Sequence, residues 1–159
     1  MGNPLYAFPA VCEQTLRALA RYPSRTAFSW PGGSITYQGA TDLIGRIQRV
    51  FMQLGFAPGT RVAFLTANRA DTWCAGVAAQ LAQLALTWLH PLGSLDDQLF
   101  QLEDSEAQML VIDGVTFRDR GGDLAAKATG VKTVFTLDRR DFTAIHQRRH
   151  LQLLPETLT

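Results

Sequence analysis

Two histidines four residues apart, His146 and His150, have the spacing with which one helix face binds zinc in zinc proteases. In that arrangement the residue after the first histidine is the general base. Here it is Gln147, which takes no proton at neutral pH. Arg148 and Arg149 stand between the histidines and would repel a cation. We therefore interpret this segment as a solvated helix face or tail, and we predict no metal site in the chain.

The adjacent carboxylates Asp96 and Asp97 are a second candidate, because paired carboxylates can serve acid–base or metal chemistry. Both follow Ser94 in the first turn of a predicted helix, and Asp97 stands at the last position of a capping box. A helix N-terminus also favours negative charge. Capping therefore explains the pair better than catalysis does, and we predict no catalytic residue in this chain.

A single histidine, His90, follows an apolar run at 86–89 that we predict to be a strand. Open α/β sheets bind ligands where their strands end, so His90 is a candidate substrate-binding residue. The competing interpretation is that His90 caps or supports the turn at Pro91. Five aromatic side chains could line a pocket for an acyl chain, although core packing explains most of them equally well. These are Phe28, Trp30, Trp73, Trp88 and Phe100.

The sequence contains neither of the two common glycine-rich phosphate-binding motifs, Gly-x-x-x-x-Gly-Lys-Ser/Thr and Gly-x-Gly-x-x-Gly. The pairs Gly32-Gly33 and Gly121-Gly122 lack a neighbouring lysine, and we predict that they form turns. We therefore expect no cofactor on this chain alone.

The composition predicts one globular domain, since 159 residues can bury a sizeable core. A net charge of +1 argues against nucleic-acid binding. Arginine pairs at 139–140 and 148–149 could attract phosphate or a membrane surface, but a solvated surface is the simpler interpretation. Cys12 and Cys74 fall in apolar helical patterns, which predicts free, buried thiols in a reducing compartment. Because the N-terminus does not resemble a secretory signal, we expect a cytoplasmic protein.

The periodicity of apolar residues predicts an α/β fold. Helices and strands alternate over residues 38–137, and that order favours right-handed crossovers and a mainly parallel sheet flanked by helices. A helix at 9–21 and a hairpin at 27–37 precede this stretch, giving a predicted N-terminal α/β subdomain over 1–137. Residues 138–159 are predicted to form an extra helix or a partly ordered tail. Within the alternating stretch we predict helices at about 37–54, 70–85, 95–104 and 119–128, and strands at about 61–66, 86–89, 109–113 and 131–137.

Five segments, in order and with similar spacing, resemble signatures of adenylate-forming enzymes. They are 21–30 (a-x-x-x-P-x-x-x-A in the family), 35–40 (L-T-Y-x-E-L), 54–63 (L-G-[hydrophobic]-x-x-G-D-R-V-A), Asn68 with Trp73 (N-s-x-e-[WF]) and 89–105 (P-L-N-P-x-x-[ST]-x-x-E-[ILV]-x-x-x-L-x-D-[SA]). The variant at 90–97 is most similar to bacterial fatty-acid–CoA ligases. One departure is the stretch Ala-Gln-Leu-Ala at 82–85, where the family usually has a glycine between helix and strand.

This resemblance implies the N-terminal subdomain of the acyl-adenylate synthetase fold. The whole protein would be an ATP-dependent fatty acyl-CoA synthetase that uses ATP, Mg²⁺ and coenzyme A. The family binds the phosphates of ATP with a Ser/Thr/Gly-rich loop ending in Pro-Lys-Gly, and no such loop occurs in this sequence. The resemblance therefore implies an N-terminal fragment that is inactive alone and is completed by the missing C-terminal part of the synthetase.

Two other interpretations stay open. The chain could be a stand-alone, non-catalytic partner or binding module, or a homo-oligomer, with an apolar surface where the family's remaining part would pack. It could also be an unrelated small α/β protein of flavodoxin-like type. That type predicts a phosphate-binding loop after the first strand of the sheet, but residues 66–71 contain no glycine.

Overall fold

The computed structural model describes residues 10–136 and the backbone of 152–154. It shows a five-stranded parallel sheet with helices on both faces, preceded by a two-stranded antiparallel hairpin, and it confirms the predicted α/β fold. The helices are α1 (Val11–Arg21), α2 (Tyr37–Gln53), α3 (Ala70–Leu81), α4 (Leu95–Asp104) and α5 (Arg118–Lys127). The strands are β1 (Thr26–Trp30), β2 (Gly33–Thr36), β3 (Arg61–Leu65), β4 (Ala85–Trp88), β5 (Met109–Ile112), β6 (Thr133–Thr136) and β7 (Gln152–Leu154).

The central strands are apolar along their whole length because helices cover both faces of the sheet. In β3, Val62 and Phe64 pack in a core with α1, α2 and α3, whereas Ala63 and Leu65 pack in a second core with α4 and α5. Every one of these four side chains is fully buried. No helix in the described residues has both the length and the apolar content that a membrane crossing requires.

The strand order β4-β3-β5-β6-β7 places a change of direction between β3 and β5. The chain leaves β3 for β4 on one side and then returns across β3 to β5 on the other. Loops after neighbouring strands diverge at such a point and leave a crevice at the carboxyl end of the sheet. The topology therefore identifies the region just beyond β3 and β5 as the place to search for a site.

Two helix starts follow the sequence predictions closely. Thr36 precedes α2, and its hydroxyl oxygen accepts the Gly39 N–H at 3.1 Å. Ser94 precedes α4, its hydroxyl oxygen accepts the Asp97 N–H at 3.1 Å, and its hydroxyl donates to the Asp97 carboxylate at 2.6 Å. The predicted capping box is confirmed, and it accounts for the carboxylate of Asp97.

The end of α3 differs from the prediction. The helix stops at Leu81 instead of continuing to about 85, and the chain reverses through Gln83. The Gln83 N–H donates to the Gln80 carbonyl at 3.0 Å, and the Leu84 N–H donates to the Ala79 carbonyl at 2.9 Å. This pattern is the Schellman motif, in which the turning residue is usually glycine. Gln83 occupies that position with a φ of 60°.

Replacing Gln83 with glycine should raise the free energy of unfolding by about 1 kcal/mol, because a left-handed conformation is unfavourable for a residue with a side chain. Gln83 is exposed, and its hydrogen bonds to Gln80 and Gly59 use only its backbone, so the substitution keeps both. Urea unfolding measures the change. The matched control is Gln80→Gly inside α3, which should lose about 1 kcal/mol. Equal losses at both positions would contradict the assigned motif.

Two further expectations need correction. Gly121 and Gly122 do not form a turn but lie inside α5, where the Gly121 backbone approaches the Ile112 side chain of β5. The stretch 152–154 forms β7, which pairs in parallel with β6, so the sheet extends past the predicted boundary at 137. An extra helix is therefore wrong for those three residues. The rest of 138–159 lies outside the described residues, as do His146 and His150.

Candidate functional site

The candidate site is the edge of the sheet at which β3, β4 and β5 end, which we call the carboxyl edge. Three loops follow these strands, at 66–69, 89–94 and 113–117. They bring together polar side chains that are far apart in sequence, and they lie where ligands bind in folds of this class.

Asp113 directly follows β5 and is fully buried. One carboxylate oxygen, Oδ1, accepts the Val115 N–H at 3.0 Å, and the other accepts the Thr116 hydroxyl at 2.8 Å. The Phe117 N–H donates to the Asp113 carbonyl at 2.9 Å, which leads the chain into α5. Asp113 thus holds the turn after β5 through both its side chain and its backbone. A buried carboxylate of this kind is stabilised only when such hydrogen bonds replace water.

Arg69 follows β3 and faces two carboxylates. Its Nε and Nη2 donate to the two Asp71 oxygens at 3.0 and 2.7 Å, and its Nη1 lies 3.8 Å from Asp113 Oδ1. The pKa of Arg69 is raised, first by the hydrogen bond to Asp71 and then by the charges of Asp71 and Asp113, against an opposing effect of burial. Because the guanidinium is engaged with both acids, it connects the loops after β3 and β5.

His90 follows β4, and its side chain is exposed on a tight turn. The imidazole Nδ1 accepts the Leu92 N–H at 3.2 Å, and the His90 carbonyl accepts the Gly93 N–H at 3.0 Å. The residue therefore does support the turn at Pro91, as one of the two sequence interpretations proposed. Its predicted contact with a substrate stays a prediction.

The five aromatic residues do not converge on one pocket. Phe28 and Trp73 lie with their ring centroids 5.1 Å apart and line a depression of about 310 Å³ beside α1. Trp88 packs on Phe64 with centroids 4.6 Å apart. Trp30, Trp88 and Phe100 do not line the depression, and they are 50%, 53% and 66% exposed. In the described part of the chain, these aromatic side chains form no single enclosed acyl pocket.

Among the described residues, no group of three or more His, Cys, Asp and Glu side chains is placed to hold a metal ion. The charged groups at the carboxyl edge, Arg69 with Asp71 and Asp113, bind one another instead. This arrangement can stiffen a loop pair and present a surface, but it supplies no free nucleophile and no base aimed at an open cavity.

Comparison with known proteins decides the family. The AMP-binding enzyme family matches residues 16–153. This chain belongs to that family. One curated relative is the medium/long-chain-fatty-acid–CoA ligase FadD8 of Mycobacterium tuberculosis, 28% identical over 121 residues, which cover 76% of this chain and 21% of the relative. The chain thus spans about a fifth of the length of the curated protein that it matches.

Solved structures of two CoA ligases share the fold. A putative long-chain-fatty-acid CoA ligase from Rhodopseudomonas palustris superposes with a TM-score of 0.72 and 24% identity, over 84% of this chain and 34% of that one. A benzoate CoA ligase from Burkholderia xenovorans superposes with a TM-score of 0.73 and 16% identity, over 96% and 31%. The resemblance to the N-terminal portion of adenylate-forming ligases is confirmed, and the flavodoxin-like alternative is set aside.

Asp113, Arg69 and Gln98 were not predicted from the sequence as residues of the candidate site. The available signal for Asp113 was an acidic residue closing the apolar run 109–112. The signal for Gln98 was an amide at the position where the family signature that residues 89–105 resemble has an aliphatic residue. Neither signal names a partner, so neither could be developed into a site without coordinates.

The thiol of Cys74 on α3 should be unreactive in the folded protein. It is fully buried, with Sγ 3.8 Å from the Ala40 carbonyl oxygen, and burial raises its pKa to about 12, with the charge of Asp71 adding to the shift. We expect iodoacetamide at neutral pH to modify Cys74 only after urea unfolding, as measured by peptide mass spectrometry. Modification of the native protein at the unfolded rate would contradict this.

The same pKa shift predicts a pH dependence of stability. An unfolded cysteine ionises at about pH 8.5, so above that pH the unfolded state loses the proton that the folded state retains. The free energy of unfolding should therefore fall as the pH rises from about 8.5 towards 12. A Cys74→Ala variant should show a shallower fall over the same range.

Proposed function

We propose that this chain is the N-terminal subdomain of an ATP-dependent fatty acyl-CoA synthetase and that it does not catalyse the reaction alone. The observation that supports this most is the match of 76% of the chain to only 21% of a fatty-acid–CoA ligase. The sequence also lacks the Pro-Lys-Gly loop that the family uses for the phosphates of ATP. A fatty-acid substrate, Mg²⁺ and coenzyme A all belong to this proposal and pertain to the whole enzyme.

The proposed reaction of the whole enzyme has two steps. The fatty-acid carboxylate attacks the α-phosphorus of ATP, pyrophosphate leaves, and an acyl-adenylate forms. The thiol of coenzyme A, after losing its proton, then attacks the acyl carbon and AMP leaves with the bonding electrons. Both steps need cations and backbone donors placed against developing negative charge. At the carboxyl edge, Arg69 is paired with the carboxylates of Asp71 and Asp113, which supports a structural role for this subdomain.

Pyrophosphate exchange tests the proposal. The gene is sequenced beyond codon 159, and the 159-residue chain and the longest open reading frame are purified separately. With ATP, Mg²⁺ and dodecanoate or palmitate, the longer product should exchange labelled pyrophosphate into ATP, and the 159-residue chain should not exceed the protein-free blank. Exchange by the short chain would overturn the claim that it is inactive. Exchange with benzoate but neither fatty acid would overturn the substrate class.

His90 is proposed to line the substrate side of the whole enzyme, because it is exposed at the carboxyl edge. In the longer product, His90→Ala should raise KM for the fatty acid several-fold more than it lowers kcat. His90→Asn, whose amide oxygen can accept the Leu92 N–H, separates the loss of the turn contact from the loss of the imidazole. Unchanged KM values in both variants would remove His90 from the substrate site.

The alternative of a stand-alone binding module is supported by large apolar side chains on the surface. Leu92, Phe100 and Val115 are 88%, 66% and 64% exposed, and exposed apolar groups commonly mark a surface that another protein covers. This alternative predicts a stop codon after codon 159 and self-association of the 159-residue chain in multi-angle light scattering. A monomer at all concentrations counts against a homo-oligomer.

We include a cytoplasmic location in the proposal, in keeping with two free, buried cysteines.

A further inference from the structure

The side chain of Gln98 on α4 is fully buried although it is polar. Its Nε2 donates to the His90 carbonyl oxygen at 2.7 Å, and its Oε1 accepts from Arg120 Nη1 at 3.0 Å. Burying an amide is unfavourable unless both of its ends are hydrogen-bonded, and here both ends are. Gln98 therefore connects the loop after β4 to a residue of α5.

Arg120 reaches the same loop from the other side. Its Nη1 also donates to the Gly93 carbonyl oxygen at 3.0 Å. In the part of the chain that the structure describes, no carboxylate forms an ion pair with Arg120, which donates to neutral oxygens of Gly93 and Gln98. Hydrogen bonds from a charged donor are stronger than neutral ones, so this guanidinium is a firm attachment for the loop.

The 90–94 loop is thus held at two carbonyl oxygens, those of His90 and Gly93. Between them, the Leu92 N–H donates to the His90 imidazole. A Cβ at Gly93 would lie 3.1 Å from the His90 carbonyl oxygen, which shows how closely the turn is folded. Fixing the two carbonyls fixes the peptide that carries the imidazole, and hence where that ring stands at the carboxyl edge.

We propose that Gln98 and Arg120, together the loop clamp, are positioning residues that hold the 90–94 loop and set the place of the His90 imidazole. The value of this to catalysis rests on the proposed role of His90 at the substrate. The clamp itself is a property of this chain and can be tested without any activity.

The test is amide hydrogen exchange by NMR on the ¹⁵N-labelled 159-residue chain. In Arg120→Met and Gln98→Leu, the Leu92 and Gly93 amides should exchange about ten-fold faster or more, as expected from the loss of one or two charge-assisted hydrogen bonds. The Leu110 amide in β5 is the internal reference and should not change. Lys127→Met removes a cation from the exposed end of α5 and should leave all three amides unchanged.

Long-range ¹H–¹⁵N spectra of the imidazole add a readout that a change in overall stability does not move. Because Nδ1 accepts the Leu92 N–H, neutral His90 should carry its proton on Nε2, and clamp variants should shift towards the tautomer mixture of an unconstrained histidine. A His90→Asn variant assigns the signal. Arg120→Lys, which keeps one cationic donor, should restore part of the wild-type tautomer preference.

Gln98→Glu keeps the volume and the acceptor for Arg120 but lacks the donor to the His90 carbonyl, so it still tests the clamp if Gln98→Leu does not fold. It should loosen the loop while Arg120 stays attached. Unchanged loop exchange and tautomer in folded Arg120→Met and Gln98→Glu would overturn the clamp. Failure of pyrophosphate exchange in the longer product would overturn the proposed function. It would not change the amide-exchange and tautomer results, which test the clamp independently of activity.

Discussion

Replacing Asp113 with alanine is expected to lower the free energy of unfolding by about 3 kcal/mol. The variant leaves the Val115 N–H and the Thr116 hydroxyl without the buried carboxylate that accepts from them. Hydrogen bonds to a charged group contribute about 1.5–3 kcal/mol each. The ion pair contributes less than these bonds, because the Arg69 side chain is 38% exposed and its Nη1 is 3.8 Å away.

Asparagine at the same position separates these contributions. Asp113→Asn can keep an oxygen for the Val115 N–H while removing the charge that faces Arg69, so we expect about half of the alanine effect. Urea unfolding measures both variants, and an unchanged m-value shows that the two-state comparison holds. Alanine and asparagine variants within about 0.5 kcal/mol of wild type would show that Asp113 does not hold the turn.

A Thr116→Val variant tests whether the turn acts as a unit. On its own it should lose about 1 kcal/mol, and added to Asp113→Ala it should lose little more, because the shared hydrogen bond can be removed only once. Additive losses would place the two residues in separate interactions. The result bears on the candidate site, since this turn and the Arg69 loop meet at the carboxyl edge next to the change of strand direction.

The features that sequence predicted well are those with local causes. The capping box at Ser94 and Asp97 lies within four consecutive residues, and α2, which begins at the predicted residue, has a clear apolar face. The continuous apolar runs of β3 and β5 follow from burial on both faces of the sheet. From these elements alone, the alternating order and the parallel sheet could be predicted.

The pairs that build the carboxyl edge could not be predicted, because they join separate loops. Gln98 and Arg120 are 22 residues apart, and no spacing rule connects an amide on one helix with a guanidinium on another. Arg69 precedes one helix and Asp113 ends one strand, and only the return of the chain across β3 brings them together. Such contacts depend on tertiary topology, which periodicity determines only in outline.

Glycine was the least reliable predictor of local structure, because it occurs both in turns and at close contacts inside helices. The stretch 82–85 has no glycine where the family usually has one, yet Gln83 adopts the left-handed turn itself. The pair at 121–122 suggested a turn, yet it lies in α5. In α5, Gly121 is needed because a Cβ would collide with the Ile112 side chain of β5. The local sequence does not reveal that contact.

Substituting Gly121 with alanine should therefore destabilise the protein even though alanine favours helices. A Cβ on Gly121 would lie 2.7 Å from Ile112 Cγ2 and 2.8 Å from Cδ1, and Ile112 is fully buried. Forcing an extra methyl group into a packed core costs about 1–3 kcal/mol, against a gain of about 1 kcal/mol in helix propensity. We expect a net loss of about 1 kcal/mol in urea unfolding.

Gly45 in α2 is the matched control, because a Cβ there meets nothing nearer than Arg49 Nη1 at 3.9 Å. Gly45→Ala should gain about 0.5–1 kcal/mol, so the two alanine variants should differ in sign. The double variant Gly121→Ala/Ile112→Ala should be more stable than the sum of its single changes predicts, because the new methyl group fills part of the cavity left by Ile112. Additive losses would show that α5 does not rest against β5 through this contact, and a stabilised Gly121→Ala would show that the helix can move away from the sheet.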